Sequence, residues 1–76
     1  MTLTQMPDKQ RATVVEIQGG RNVVDRLDAI GIRPGKEITK ISSMLMRGPV
    51  TIEVDRVQVA IGFGMAQKIV VELDSV

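Results

Sequence analysis

The chain contains neither cysteine nor histidine, and these two absences limit how a sequence of its length can be stabilised. A chain of 76 residues buries only about 60–65% of its unfolded surface, so small domains often add disulfides or a structural zinc ion. Disulfides need cysteine, and structural zinc sites need cysteine or histidine ligands. The apolar residues, 43% of the chain, must therefore build the core alone, and we expect one domain over residues 1–76.

Short runs of β-branched residues predict a mainly β fold. The predicted strands are residues 11–17, 37–42, 50–54, 57–61 and 68–73, with a helical turn at 65–67 before the last strand. Alternation predicts one shared face for Thr13, Val15 and Ile17, opposite faces for Ile38 and Ile41, and an inward face made of Val50, Ile52, Val54, Val57, Val59, Ile61, Ile69, Val71 and Leu73. Five short strands in one curled sheet favour a small barrel.

A helix is predicted between the first two strands. Val23, Leu27 and Ile30 are spaced i, i+4 and i+7, which gives one apolar stripe. Asn22 is the expected N-cap, and it would place the carboxylate of Asp25 in the first turn, where the helix dipole favours negative charge.

The predicted end of this helix has a glycine and a proline. Gly31 is placed to adopt a left-handed conformation, and in a Schellman motif Leu27 and Ile32 would then be the residues that touch. Pro34 prevents the helix from resuming. A two-residue connection at Asp55-Arg56 predicts a hairpin further along the chain, although its turn type stays open because Arg disfavours positive φ.

Catalysis and nucleotide binding are not expected, so the chain is not predicted to be an enzyme. Without histidine or cysteine, the usual general base and the usual nucleophile pair are missing, and the serines have no base partner that the sequence identifies. Residues 19–21 and 62–64 are glycine-rich but lack the Gly-Lys-Ser/Thr element that cradles phosphates. They are better interpreted as turns.

Metal, nucleic-acid and membrane binding are also disfavoured. Asp25 and Asp28 could form only a weak carboxylate site, and no metal site or cofactor is predicted. A net charge of +1 and a single aromatic residue, Phe63, do not suit nucleic-acid binding. No apolar run approaches the length of a membrane helix and no signal peptide is apparent, so we expect a cytoplasmic protein.

The segment from Ser42 to Pro49 is the unusual one, because it places three large apolar residues in a row between two strands. Connecting segments usually run on the surface and are polar. Met44 and Met46 could fold back as gap-filling core. Alternatively, the segment is an adaptable apolar contact surface with Arg47 as its polar rim. The sequence leaves both alternatives open.

The helix and the turn after it carry a family resemblance. Residues 23–38, which read VVDRLDAIGIRPGKEI, resemble the helix–Pro–Gly segment of the FeoA family. Residues 1–4, 59–61 and 65–71 are similar to the start and the last two strands of that family. Two segments depart from its usual pattern: residues 7–9, and residues 62–65, which make the surface near the last strand more apolar.

The resemblance implies an SH3-like five-stranded barrel with one helix inserted between strands 1 and 2. It implies a protein-interaction module that supports or regulates ferrous iron uptake by acting on the cytosolic part of a FeoB-type membrane permease, which carries a GTPase domain. The alternative is a component of metal-dependent transcriptional regulation, because iron-dependent repressors carry a similar C-terminal domain. A third role, an autonomous iron carrier, would need ligands that this sequence lacks. A homo-oligomer remains compatible with the sequence.

Two sets of residues follow from these expectations. The predicted partner-binding residues are Met44, Leu45, Met46, Arg47, Phe63 and Met65. The predicted structural residues are Leu27, Gly31, Ile32, Pro34 and Gly35. An SH3-like domain with one aromatic residue cannot build the Tyr- and Trp-lined groove that binds proline-rich peptides, so it must recognise its partner in another way.

Overall fold

The computed structural model describes residues 1–44 and 46–74. Its elements are β1 (Arg11–Ile17), α1 (Gly20–Asp28), β2 (Glu37–Ser43), β3 (Val50–Val54), β4 (Val57–Ile61), α2 (Phe63–Ala66) and β5 (Ile69–Leu73). The strands form one antiparallel sheet in the order β4-β3-β2-β1-β5. The prediction of a mainly β fold with a helix between the first two strands is confirmed. β4 and β5 are the edges of the sheet, so the barrel is not closed within the described residues.

One apolar cluster forms the core beneath this sheet. Its buried members are Leu3, Met6, Ala12, Val14, Leu27, Ile32, Ile38, Val50, Ile52, Val54, Ile61, Ala66, Ile69 and Val71. Every element contributes to it, and so does the segment before β1. The predicted inward face of β3 is confirmed, because Val50, Ile52 and Val54 are all buried.

The N-terminal segment closes one end of the core, which the sequence had not indicated. Leu3 is fully buried, and its N–H donates to the carbonyl of Ile69 at 2.8 Å. Met1 accepts a hydrogen bond from the N–H of Val71 at 2.7 Å. Residues 1–3 therefore lie along β5 and cover that edge of the sheet.

Lys40 in β2 also holds the N-terminal segment in place through its side chain. Its side chain points into the protein and the residue is only 2% exposed. The Nζ atom donates to the carbonyl of Met6 at 2.7 Å and to that of Thr4 at 3.3 Å, and it lies 3.9 Å from a carboxylate oxygen of Asp8. Burying an ammonium group is costly unless it is hydrogen-bonded and paired, and these contacts meet that requirement.

A bulge in β1 changes the predicted faces of that strand. Val14 and Glu16 pair with consecutive residues of β5, so Val15 is an extra residue in the ladder. Val14 is buried and Ile17 packs against the core, although they are three positions apart, whereas Val15 is exposed. The prediction that Thr13, Val15 and Ile17 share one face is therefore wrong. A similar register shift occurs in β2 at Ile41, which is half-buried.

Helix α1 begins earlier than predicted. The N-cap is Gly19, with φ of +102°, and Asn22 lies inside the helix, so the predicted N-cap is wrong. A left-handed glycine lets the helix start shortly after β1, and the first turn consequently contains no acidic residue. Leu27 is buried and Val23 packs against the core, but Ile30 is exposed, so the apolar stripe is shorter than the spacing indicated.

The helix ends as predicted. Gly31 has φ of +91°, the N–H of Ile32 donates to the carbonyl of Leu27 at 2.9 Å, and the N–H of Gly31 donates to that of Asp28 at 3.0 Å. These two hydrogen bonds define a Schellman motif. Leu27 and Ile32 are both fully buried in the core.

The Pro34-Gly35 pair then forms a turn that is attached to β1. The N–H of Lys36 donates to the carbonyl of Arg33 at 3.0 Å, and Gly35 has φ of +92°, which is the pattern of a type II turn with proline and glycine at its centre. The N–H of Gly35 donates to the carbonyl of Val14 at 2.7 Å. The turn therefore leads the chain from α1 into β2 along β1.

Strands β3 and β4 form the predicted two-residue hairpin. Val54 pairs with Val57, and the central residues Asp55 and Arg56 have φ of +52° and +68°, as in a type I′ turn. An ion pair of 2.6 Å between Lys36 and Asp55 holds this turn. Val57 was predicted to face inward but is 57% exposed, and Leu73 at the end of β5 is also exposed. Both lie at strand ends, where the core no longer covers them.

No helix within residues 1–44 and 46–74 is long and apolar enough to span a membrane.

Candidate partner-binding surface

The fold brings the two predicted contact segments together at one end of the β3–β4 hairpin. Val50 at the start of β3 pairs with Ile61 at the end of β4. The β2–β3 loop (residues 44–49) precedes Val50, and α2 follows Ile61. The guanidinium carbon of Arg47 lies 6.0 Å from the centre of the Phe63 ring. Residues 16 positions apart in the sequence therefore share one surface, which we call the loop–α2 surface.

The methionines of the loop are exposed to solvent. Met44 is 66% exposed and Met46 is 95% exposed. The alternative that these two side chains fill gaps in the core is therefore wrong. Leu45 lies outside the described residues, so its role stays a prediction. An almost fully exposed methionine presents a flexible, polarisable apolar group of the kind used at adaptable binding surfaces.

The backbone holds Met46 and Arg47 in an uncommon conformation. Their φ angles are +62° and +61°, and left-handed geometry costs about 1–2 kcal/mol for each residue with a side chain. The N–H of Met44 donates to the carbonyl of Pro49 at 3.3 Å, which closes the loop. The contact between Arg47 and Phe63 is at the outer limit of a cation–π interaction and contributes about 0.5–1 kcal/mol.

Helix α2 supplies the other half of the surface. Phe63 is half-buried, and its ring supports the Arg47 guanidinium. Met65 is also half-buried and packs against the core. A Cβ added at Gly62 or at Gly64 would meet no atom within 4 Å, so the surface around Phe63 is open. Among the predicted contact residues that the structure describes, Met44, Met46 and Arg47 are exposed and Phe63 is half-buried. Met65, also half-buried, has a mainly structural position against the core.

The two carboxylates of α1 that could have bound a metal are paired with arginines. A carboxylate oxygen of Asp25 lies 3.6 Å from the Nε atom of Arg21, and one of Asp28 lies 2.8 Å from the Nε atom of Arg33. The described part of the chain contains no cluster of three or more carboxylates, histidines or cysteines that could hold a metal ion. The loop–α2 surface, in contrast, offers the exposed side chains of Met44 and Met46 and the guanidinium of Arg47 over Phe63.

A second exposed apolar region lies at the opposite end of the hairpin, and the sequence had not indicated it. A groove of about 400 Å³ runs between the end of α1 and β4, where Ile30, Val57 and Val59 line it. The signal that could have identified it is the position of Val57 directly after the hairpin turn, where a strand leaves the core.

The comparison with protein families gives one match that spans nearly the whole sequence. The model of the FeoA domain matches residues 1–73. This chain belongs to the FeoA family. The match includes the helix–Pro–Gly segment, whose Schellman motif and type II turn are described above.

Solved structures agree with this assignment. A FeoA protein described as an iron uptake regulatory protein is 36% identical, with a TM-score of 0.87, over 96% of this chain and 95% of that chain. The zinc-complexed FeoA of Stenotrophomonas maltophilia, described as an SH3 domain protein, is 24% identical, with a TM-score of 0.80, over 95% of this chain and 89% of that chain. The expectation of an SH3-like fold is confirmed.

The same fold occurs inside longer regulatory proteins. The manganese regulator SloR is 19% identical, with a TM-score of 0.85, over 97% of this chain but only 34% of that chain. At this identity the likeness shows the fold alone. No curated protein matches the sequence significantly.

Proposed function

We propose that this FeoA-family chain is a protein-interaction module that supports or regulates ferrous iron uptake. Its proposed partner is the cytosolic part of a FeoB-type membrane permease, which carries a GTPase domain, and the proposed location is the cytoplasm. The observation that carries the proposal is the exposed loop–α2 surface on a member of this family. The 36% identical neighbour is described as an iron uptake regulatory protein, which supports the same process.

The chemistry of the surface is suited to binding by contact. Met44 and Met46 offer apolar area that is lost from water on binding, and Arg47 offers a planar cation already placed against Phe63. Arginine and aromatic residues often provide much of the binding energy at protein interfaces. Such a module needs no catalytic group, since its effect on transport would come from the partner's enzyme and channel.

The test is direct binding between the purified chain and the permease reconstituted in nanodiscs. We expect Met46→Asp to weaken binding by about 2 kcal/mol, roughly thirtyfold, because it places an unpaired charge in an apolar interface. The same change should leave the unfolding midpoint nearly unaltered, because Met46 is 95% exposed in the free chain.

Ile30→Asp is the matched control. It replaces another exposed apolar residue with the same charge, at the opposite end of the β3–β4 hairpin. We expect its affinity to stay within about twofold of the parent chain, since Ile30 lies outside the proposed interface. Equal losses in both variants would reject the loop–α2 surface, and no binding by the unmodified chain would reject the permease as partner.

The second candidate role is in metal-dependent transcriptional regulation. Its support is the shared fold with SloR, whose chain also contains regions outside this domain. In this role the chain would bind a repressor that supplies its own DNA-binding domain. The same titration with such a repressor in place of the permease separates the two candidates.

A further inference from the structure

The two edge strands of the sheet, β5 and β4, differ in whether another segment of the chain covers them. At β5, residues 1–3 run alongside the strand and form hydrogen bonds with Ile69 and Val71. At β4, no other segment within residues 1–44 and 46–74 forms a backbone hydrogen bond with the outer side of the strand. One edge is therefore covered and the other is open to a further strand.

Strand β4 also lacks the features that usually prevent edge strands from pairing. Proteins protect such edges with charged residues, proline or bulges. Residues 57–61 read VQVAI, with neither charge nor proline. The β3–β4 ladder is regular over all five of its residue pairs. The open edge is therefore uncharged, five residues long and free of register shifts against β3.

The pairing with β3 determines which backbone groups are free. A two-residue hairpin hydrogen-bonds its closing pair, here Val54 and Val57, and every second pair after it. Gln58 and Ala60 belong to the intervening pairs, so their N–H and C=O groups point away from β3. Both residues are exposed. They present two donors and two acceptors along the outer edge.

We propose that β4 is a docking edge for a second copy of this chain, in an antiparallel pairing centred on Val59. In this register Gln58 of one copy lies opposite Ala60 of the other, and the two pairs related by symmetry exchange four backbone hydrogen bonds. An uncharged strand can pair with itself without placing like charges opposite each other. The inference stands independently of the proposed permease.

The arrangement of the free groups favours a second copy over an unrelated strand. Gln58 and Ala60 flank Val59, so a two-fold axis at Val59 pairs all of the free backbone groups of both edges in one register. The hairpin turn beside the strand carries charges of both signs, on Asp55 and Arg56, and Asp55 is already paired with Lys36 at 2.6 Å. The turn therefore gives the edge no net charge that would select a partner of one sign.

The test is sedimentation equilibrium of the full chain with two variants that differ only at position 60. Gln58→Lys with Ala60→Lys places lysine opposite lysine across the pair. Gln58→Lys with Ala60→Glu places lysine opposite glutamate in the same register. A five-residue edge is small beside a standard interface of about 1,600 Å². We therefore expect weak, concentration-dependent dimers, measured between about 10 μM and 1 mM.

The double-lysine variant should lower the association constant about tenfold or more, because two like-charged cross-strand pairs form. The lysine–glutamate variant should associate at least as strongly as the parent chain. Hydrogen exchange at the amides of Gln58 and Ala60 should slow as the parent chain is concentrated. A parent chain that is monomeric at the highest concentration overturns the proposal. So does a double-lysine variant that dimerises like the parent, or an edge that pairs only with a strand of another protein.

Discussion

Gly31 ends α1 in a conformation that suits glycine. Its φ is +91°, and an added Cβ would lie 3.4 Å from a carboxylate oxygen of Asp55. We expect Gly31→Val to lower the free energy of unfolding by more than about 1 kcal/mol, because a β-branched residue is strained at this angle. Urea denaturation measures the change.

Gly64→Ala is the control for this prediction. Gly64 lies in α2, and a Cβ there would meet no atom within 4 Å. Alanine should leave stability unchanged or raise it by about 0.5–1 kcal/mol, since glycine is the poorer helix former. If Gly31→Val unfolds at the same urea concentration as the parent chain, the left-handed C′ position is not what terminates the helix.

Single residues also show where sequence reasoning stops. The left-handed Gly31 could be predicted, because few residues other than glycine suit a helix C′ position that is followed by proline. The burial of Lys40 could not, because alternation gives its face but not the acceptors that make an inward ammonium tolerable. Those acceptors are the carbonyls of Thr4 and Met6, 36 and 34 positions away.

At the scale of the elements, the strands were predictable and their bulges were not. β3 has no bulge, and its alternating residues face the core as expected. β1 contains an extra residue at Val15, which reverses the faces of everything after it. A bulge depends on the pairing with the neighbouring strand, and one sequence segment does not contain that information.

Two carboxylates of helix α1 are the basis of a prediction about metal affinity. Asp25 and Asp28 are one turn apart, but each is paired with its own arginine, at 3.6 Å and 2.8 Å. We expect the isolated chain to bind ferrous iron or zinc with a Kd above the order of micromolar, because exposed carboxylates already paired with cations compete poorly with water. Titration calorimetry with zinc, and with ferrous iron under anaerobic conditions, measures this.

A variant with both arginines replaced, Arg21→Gln with Arg33→Gln, tests the reason given. If the ion pairs weaken metal binding, their removal should increase zinc affinity severalfold while leaving it in the weak range. A stoichiometric site of nanomolar affinity in the parent chain would contradict the prediction and require ligands other than these two carboxylates.

At the scale of the whole molecule, the sequence indicates the two segments of the candidate contact surface but does not show that they lie side by side. The run of Met44 to Arg47 stands out in the sequence as an apolar connection, and residues 62–65 stand out as a glycine-rich break. Their proximity depends on the pairing of Val50 with Ile61. The exposure of Ile30 and Val57 was missed because it depends on where the core ends.

The N-terminal segment is part of the core, so the core includes residues from both ends of the chain. Leu3 is fully buried in a core whose members come from both ends of the sequence, and its N–H donates to the carbonyl of Ile69. A domain of this size has a total stability of about 4–11 kcal/mol. A single buried leucine near the N-terminus therefore accounts for a large part of the margin that keeps the sheet folded.

We expect Leu3→Ala to lower the free energy of unfolding by about 3 kcal/mol, from lost burial and the cavity that remains. Leu73→Ala is the matched control, because it removes the same atoms from a leucine that is exposed at the end of β5. It should cost about half as much, since Leu73 is 37% exposed and lies outside the core cluster. Chemical denaturation of both variants measures the difference. Equal and small losses would mean that residues 1–3 dock on a sheet that is already stable, whereas the predicted contrast would show that the segment folds together with the core.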